Sequence, residues 1–95
     1  MNPSIELPHV SNRDQLSPRA RLTSDKIVLG IDVGSTTVKA VVIDPETKEI
    51  LWSDYQRHET RQAEKVFELL VAIGQEFEDI PRENIRTFIT GSGAG

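Results

Sequence analysis

The chain contains no cysteine among its 95 residues, so neither a disulfide nor a thiolate metal site can form within it. No apolar run approaches the ~20 residues needed to span a bilayer. Prolines and charges interrupt the N-terminal stretch where a signal peptide would carry its apolar core. A basic stripe is missing as well. From Ile27 onward there are 7 Lys and Arg against 12 Asp and Glu, and the net charge is −4; nucleic-acid binding calls for clustered cations instead. These absences lead to the expectation of a cytoplasmic protein with no membrane or nucleic-acid partner. The length suits one small domain or part of a larger one.

What the chain does have is centred on Gly30-Ile-Asp-Val-Gly-Ser-Thr-Thr-Val-Lys-Ala-Val-Val-Ile-Asp44. In the first half Ile27, Leu29 and Ile31 alternate with Val28 and Gly30. In the second, Val38, Ala40 and Val42 alternate with Val41 and Ile43. The pattern predicts a β-hairpin, and apolar residues on both faces predict a place at the centre of a sheet.

The tip of that hairpin has a composition suited to anions. Gly34 can take a positive φ and has no Cβ to hold a ligand away. The N–H groups and hydroxyls of Ser35, Thr36 and Thr37 can converge on phosphate oxygens, and Lys39 adds a positive point charge. Asp32 repels a phosphate unless a cation or water lies between, which suggests hydrated Mg²⁺ or a positioned water. An ordinary tight hairpin with polar turn residues is the plain alternative.

Along the rest of the chain, residues 1–25 hold Pro3, Pro8 and Pro18 with scattered apolar positions, and are expected to form a flexible extension. His9 stands there without partners at metal-ligand spacing. After the hairpin, Asp44 and Pro45 open a turn. Glu49 to Gln56 is expected to be a third strand at a sheet edge, with Ile50 and Trp52 on one face and Leu51 and Tyr55 on the other. Arg57-His-Glu-Thr-Arg61 is a charged connector that a solvated loop explains adequately; the strand directions place Arg57 and His58 near the phosphate edge, which leaves a functional role as the alternative. Thr60 is expected to cap a helix from Arg61 to about Asp79. Its stripe comprises Ala63, Val66, Phe67, Leu70, Ile73 and Phe77, with Gly74 permitting close approach to the sheet. Glu76, Glu78 and Asp79 oppose the helix dipole and predict fraying.

Ile85 to Thr90 reads as a fourth strand, parallel to the first through a right-handed crossover. It delivers the amide-rich Thr90-Gly-Ser-Gly-Ala-Gly95 to the edge that holds Asp32, making Gly91 and Gly93 further candidate phosphate contacts. The expected fold is α/β, β-β-β-α-β, with a mixed sheet in the order 3-2-1-4 and one covering helix.

Gly30-Ile-Asp-Val-Gly-Ser-Thr-Thr-Val-Lys39 resembles the first phosphate loop of the superfamily of actin, the large heat-shock chaperones, acetate and sugar kinases and the activators of 2-hydroxyacyl-CoA dehydratases. The order of elements resembles the opening half of its ribonuclease-H-like fold, over residues 26–95. By position, Asp32 is similar to the metal- and water-associated aspartate, catalytic and Mg²⁺-linked through water. Gly34, Ser35, Thr36 and Thr37 match the phosphate-embracing turn, and Lys39 a basic position. Ile89-Thr-Gly-Ser-Gly-Ala-Gly95 resembles the threonine–glycine–aromatic–glycine turn of the dehydratase and benzoyl-CoA reductase activators, with Ser92 in the aromatic place. Tyr55-Gln-Arg-His-Glu59 resembles the third-strand exit of their long, fused members.

The resemblance implies an ATP-hydrolysing activator of a CoA-substrate dehydratase or reductase. In that family a homodimer holds a 4Fe–4S cluster and passes an electron to its partner enzyme. This chain would supply the first phosphate loop, and by itself would neither hydrolyse ATP nor carry the cluster. A sugar or carboxylate kinase, or an actin- or chaperone-like ATP-driven switch, would use the same hairpin.

Overall fold

Alternation in the hairpin is realised as β1 (Ile27–Val33) and β2 (Thr37–Ile43), paired antiparallel with Leu29 opposite Val42 and Ile31 opposite Ala40. Directly opposed residues share a face, so Ile27, Leu29, Ile31, Val38, Ala40 and Val42 form one buried layer. This is a computed structural model, and it describes residues 15–91.

β3 (Ile50–Arg57) runs antiparallel to β2, and β4 (Ile85–Gly91) runs parallel to β1. The four-stranded mixed sheet has the order β3-β2-β1-β4. The helix α2 (Gln62–Glu76) connects β3 to β4 and packs over β1, β2 and β3 through Leu69 and Ile73. Phe77 and Ile80 extend the same core beyond the helix.

The third strand departs from simple alternation. Val42 pairs with Trp52 and Ile43 with Ile50, which leaves Leu51 as the extra residue of a β-bulge. Leu51 is buried and Trp52 packs against the core beside it, while Ile50 and Tyr55 are exposed. The expected split of Leu51 and Trp52 onto opposite faces is therefore corrected by the bulge.

The helix stripe is also rotated from its expected position. Leu69, Ile73 and Phe77 are buried, whereas Phe67 is 67% and Leu70 38% exposed. Because α2 sits over β1 to β3, the Phe67 side borders β4 and lines a groove of about 470 Å³ with Val66, Leu70 and Ile89. Gly74 lies on the exposed side, and a Cβ there would meet nothing within 4 Å. It does not serve close approach to the sheet. Arg61, not Thr60, occupies the cap position, with no side-chain cap bond; Thr60 has φ 73° and points its N–H back toward His58.

Residues 15–25 do not stay clear of the domain. Ser17 caps α1 (Pro18–Arg21) by accepting the Ala20 N–H, and Leu22 joins the core. Arg19 donates twice to Asp79, at 2.8 and 2.7 Å, and its N–H reaches Glu76 at 3.0 Å. Arg21 reaches Glu49 at 2.8 Å and the Leu51 carbonyl at 2.5 Å. The expectation of an unpacked extension is thus corrected over this stretch: one leucine and two arginines anchor it. Arg19 also answers the carboxylates at the end of α2 that composition alone sets against the dipole. The expectations for residues 1–14, His9 included, lie outside the described residues.

The second anchor of this strap is Asp44, which is fully buried at the start of the β2–β3 turn. Its carboxylate accepts the Thr23 N–H at 3.0 Å, the Thr23 hydroxyl at 2.7 Å, and the N–H groups of Glu46 and Thr47 at 2.8 and 3.3 Å. Burial pushes its pKa up, but these donors outweigh burial and bring it down from 3.8 to about 2.

Candidate functional site

Three connections meet at the edge where β1, β3 and β4 end, as their directions require. The hairpin tip, Gly34 to Thr37, is closed by Gly34 N–H donating to the Thr37 carbonyl at 2.7 Å. No glycine among the described residues has a positive φ, so the expectation for Gly34 is corrected. What the position needs is space: a Cβ would lie 3.2 Å from the Thr37 carbonyl oxygen. A larger residue would have to push that oxygen back by a few tenths of an ångström.

Ser35 and Thr36 are exposed at the apex. Their N–H groups and hydroxyls find no hydrogen-bond acceptor among the described residues. Donors without a protein partner, on a turn that holds its shape by other bonds, are what an anion site requires. Thr37 begins β2, opposite Arg57.

Asp32 lies one residue from the end of β1 and is exposed on the sheet face away from α2. Thr90 stands beside it in the parallel register and donates its hydroxyl to Asp32 Oδ1 at 3.1 Å. That bond holds one carboxylate oxygen and leaves Oδ2 free of any protein hydrogen bond among the described residues. Lys39 is the cross-strand neighbour of Asp32 on the same face, without an ion pair between them. Both line a hollow of about 200 Å³ with Gly30, Val41, Phe88 and Thr90. The absence of a side chain at Gly30 forms its floor, where a Cβ would already approach Val41 to 3.3 Å.

Gly91 closes β4 opposite Val33, so it reaches the tip's edge as expected. Gly93 lies outside the described residues. The structure therefore brings together Asp32, Gly34, Ser35, Thr36, Thr37, Lys39 and Gly91 at one end of the sheet. It adds Thr90, which the parallel register alone points to once Asp32 is singled out. His58, expected near this edge from the strand directions, is 3% exposed, and its ring Nε2 lies 3.0 Å from the Gly34 carbonyl. A polar connector has no periodicity from which such burial can be read.

No group of three or more metal-binding side chains converges among the described residues. One exposed carboxylate suits a cation that keeps most of its water, as Mg²⁺ does. No helix among the described residues is long and apolar enough to cross a membrane. No family model matches the chain, and no curated protein matches it.

Proposed function

We propose that the hairpin tip is the first phosphate-binding element of an ATPase with a ribonuclease-H-like core, of the kind that activates CoA-substrate dehydratases or reductases. The observation that carries the reading is the pairing of unclaimed Ser35 and Thr36 N–H donors with the Thr90-anchored carboxylate of Asp32 at one strand edge. The residues fit the group they would hold. Ser35, Thr36, Thr37 and Gly91 would bind phosphate oxygens, Lys39 would offset their charge, and Asp32 would hold the waters of Mg²⁺ or orient a water. Mg²⁺ itself supplies charge neutralisation between phosphate groups.

The activator branch rests on Tyr55 to Glu59 and Ile89 to Gly95, the stretches that resemble it. Such proteins act as homodimers with a partner dehydratase or reductase. The 4Fe–4S cluster of that family does not fit this chain, because no cysteine is present to ligate it; its thiolates would have to come from elsewhere. A complete ATP site also needs an opposing phosphate loop and an adenosine pocket, so the chain alone should bind ATP weakly.

The test is an amide-resolved NMR titration of the chain with Mg²⁺ and ATP. Shifts confined to Ser35, Thr36, Thr37, Asp32 and Gly91 at millimolar ligand are expected. Shifts scattered over the surface, or centred on the far end of the sheet, would overturn the reading.

A further inference from the structure

The connection between β3 and α2 buries a histidine for which the phosphate reading has no role. Its Nδ1 accepts the Thr60 N–H at 3.0 Å, so the ring proton resides on Nε2, which donates to the Gly34 carbonyl at 3.0 Å. The backbone N–H of His58 donates to the Thr36 carbonyl at 3.1 Å, and its carbonyl accepts the Arg61 N–H at 2.6 Å. One residue thereby takes up two carbonyl groups of the tip.

The backbone around the ring is strained to make this possible. Glu59 and Thr60 have φ values of 47° and 73°, a region that a residue with a Cβ rarely adopts. For a β-branched threonine it is a marked outlier. The turn at Thr60 is what brings its N–H back onto a ring two residues earlier. Strain of this kind persists where the surroundings over-determine it, and such places cluster at functional sites.

The consequence is electrostatic. Carbonyl oxygens repel an anion and N–H groups attract it, so a tip that binds phosphate must turn its carbonyls elsewhere. The Gly34 and Thr36 carbonyls are held by His58, and that of Thr37 by Gly34 N–H. The N–H groups of Ser35 and Thr36 are among those left over. They border a hollow of about 350 Å³ shared with Arg57, His58, Glu59 and Thr60.

We infer that His58 is a positioning residue for the hairpin tip: by holding the Gly34 and Thr36 carbonyls it presents the Ser35 and Thr36 N–H groups to a phosphate-type anion. This rests on the phosphate-binding reading of the tip. It extends that reading to a residue on a separate connection, through bonds that contain no nucleotide.

The test uses the isotopically labelled chain and inorganic pyrophosphate. A long-range proton–nitrogen spectrum of the ring should show one neutral tautomer, protonated at Nε2. Rapid averaging between tautomers would overturn the inference. His58→Ala should displace the Ser35 and Thr36 amide signals and weaken pyrophosphate binding there about tenfold, the effect of losing one buried hydrogen bond. His58→Gln, which keeps an N–H donor, should fall between the two. Unmoved tip amides and unchanged binding in His58→Ala would overturn the inference. If that variant does not fold, the tautomer spectrum and His58→Gln decide. If the unaltered chain binds no pyrophosphate, the phosphate reading fails, and with it the inference that His58 serves an anion. Displaced tip amides in His58→Ala would then show a histidine that shapes the turn alone.

Discussion

Thr90 donates its hydroxyl to Asp32 across two parallel strands at 3.1 Å, joining residues 58 positions apart in sequence. The bond orients one carboxylate oxygen and leaves the other available. It makes the end of β4 a determinant of how Asp32 is presented. In a protein that joins this chain to the remainder of an ATP site, Asp32→Asn should retain nucleotide and lose turnover on the order of a hundredfold or more, since electrostatic positioning contributes about 3–4 kcal/mol. Thr90→Val should give a smaller loss of turnover. Calorimetry with steady-state hydrolysis separates binding from chemistry. Normal turnover in Asp32→Asn would make the hairpin structural.

Gly34→Val is expected to act on binding itself. Its side chain would press on the Thr37 carbonyl, already 3.2 Å from a bare Cβ, and would intrude where phosphate is expected. Weakened nucleotide affinity, measured by calorimetry, is the outcome; unchanged affinity would place phosphate away from the tip.

Gly74→Ala should stabilise the chain by about 0.5–1 kcal/mol. The position is in the last turn of α2, exposed, with nothing within 4 Å of a new methyl group, so the change restricts the unfolded chain and favours the helix without a clash. Denaturant unfolding would measure it, and a loss of stability would mean that a neighbour covers this face.

Acid should loosen the strap. The Asp44 pKa, brought to about 2 by its donors, lies below the ordinary aspartate value of about 3.9. Its contribution to stability is therefore complete above that ordinary value and is lost as pH falls through about 2. Asp44→Asn should flatten the fall in unfolding free energy over that window. At neutral pH, Asp44→Ala should cost about 2–3 kcal/mol, since it strands donors that now reach a charged acceptor.

Removing residues 1–24 should lower the melting temperature by about 10 °C. Losing the Leu22 side chain from the core alone costs about 1.5–3 kcal/mol, and each kcal/mol shifts a domain of this size by about 4–8 °C. Arg19→Ala should change little, because the guanidinium and Asp79 meet at the surface. An unchanged melting temperature after truncation would show that the Leu22 contact contributes nothing.

The sheet was legible because its signals are periodic. Alternation in Ile27 to Ile31 and Val38 to Val42 marked the hairpin, and the strand–helix–strand rule placed β4 beside β1. The convergence of Asp32, the tip and Gly91 follows from those directions. Less legible were features carried by single contacts. The Leu51 bulge shifts two apolar residues to one side without altering composition. The strap has one buried leucine and otherwise depends on charged partners as distant as Asp79. His58 lies in a run whose neighbours Arg57, Glu59 and Thr60 are exposed, and only the backbone turn at Glu59 and Thr60 drives its ring inward. The helix stripe failed for a related reason: the residue that faces the core depends on where α2 is set across the sheet.

The strap also constrains the order in which the chain can be assembled. The hairpin closes locally, within a few residues of its own turn. Thr23 must wait for Asp44, Arg21 for Glu49 and Leu51, and Arg19 for Glu76 and Asp79, separations of 21, 28 and 30, and 57 and 60 residues. On a ribosome, synthesis proceeds from the N-terminus, so Leu22 emerges before every surface that will shelter it. Each such closure carries an entropic cost that grows slowly with loop length. The segment translated ahead of β1 can therefore dock in two stages: Thr23 and Arg21 need only the β2–β3 turn and β3, whereas the Arg19 bonds report that the far end of α2 is in place.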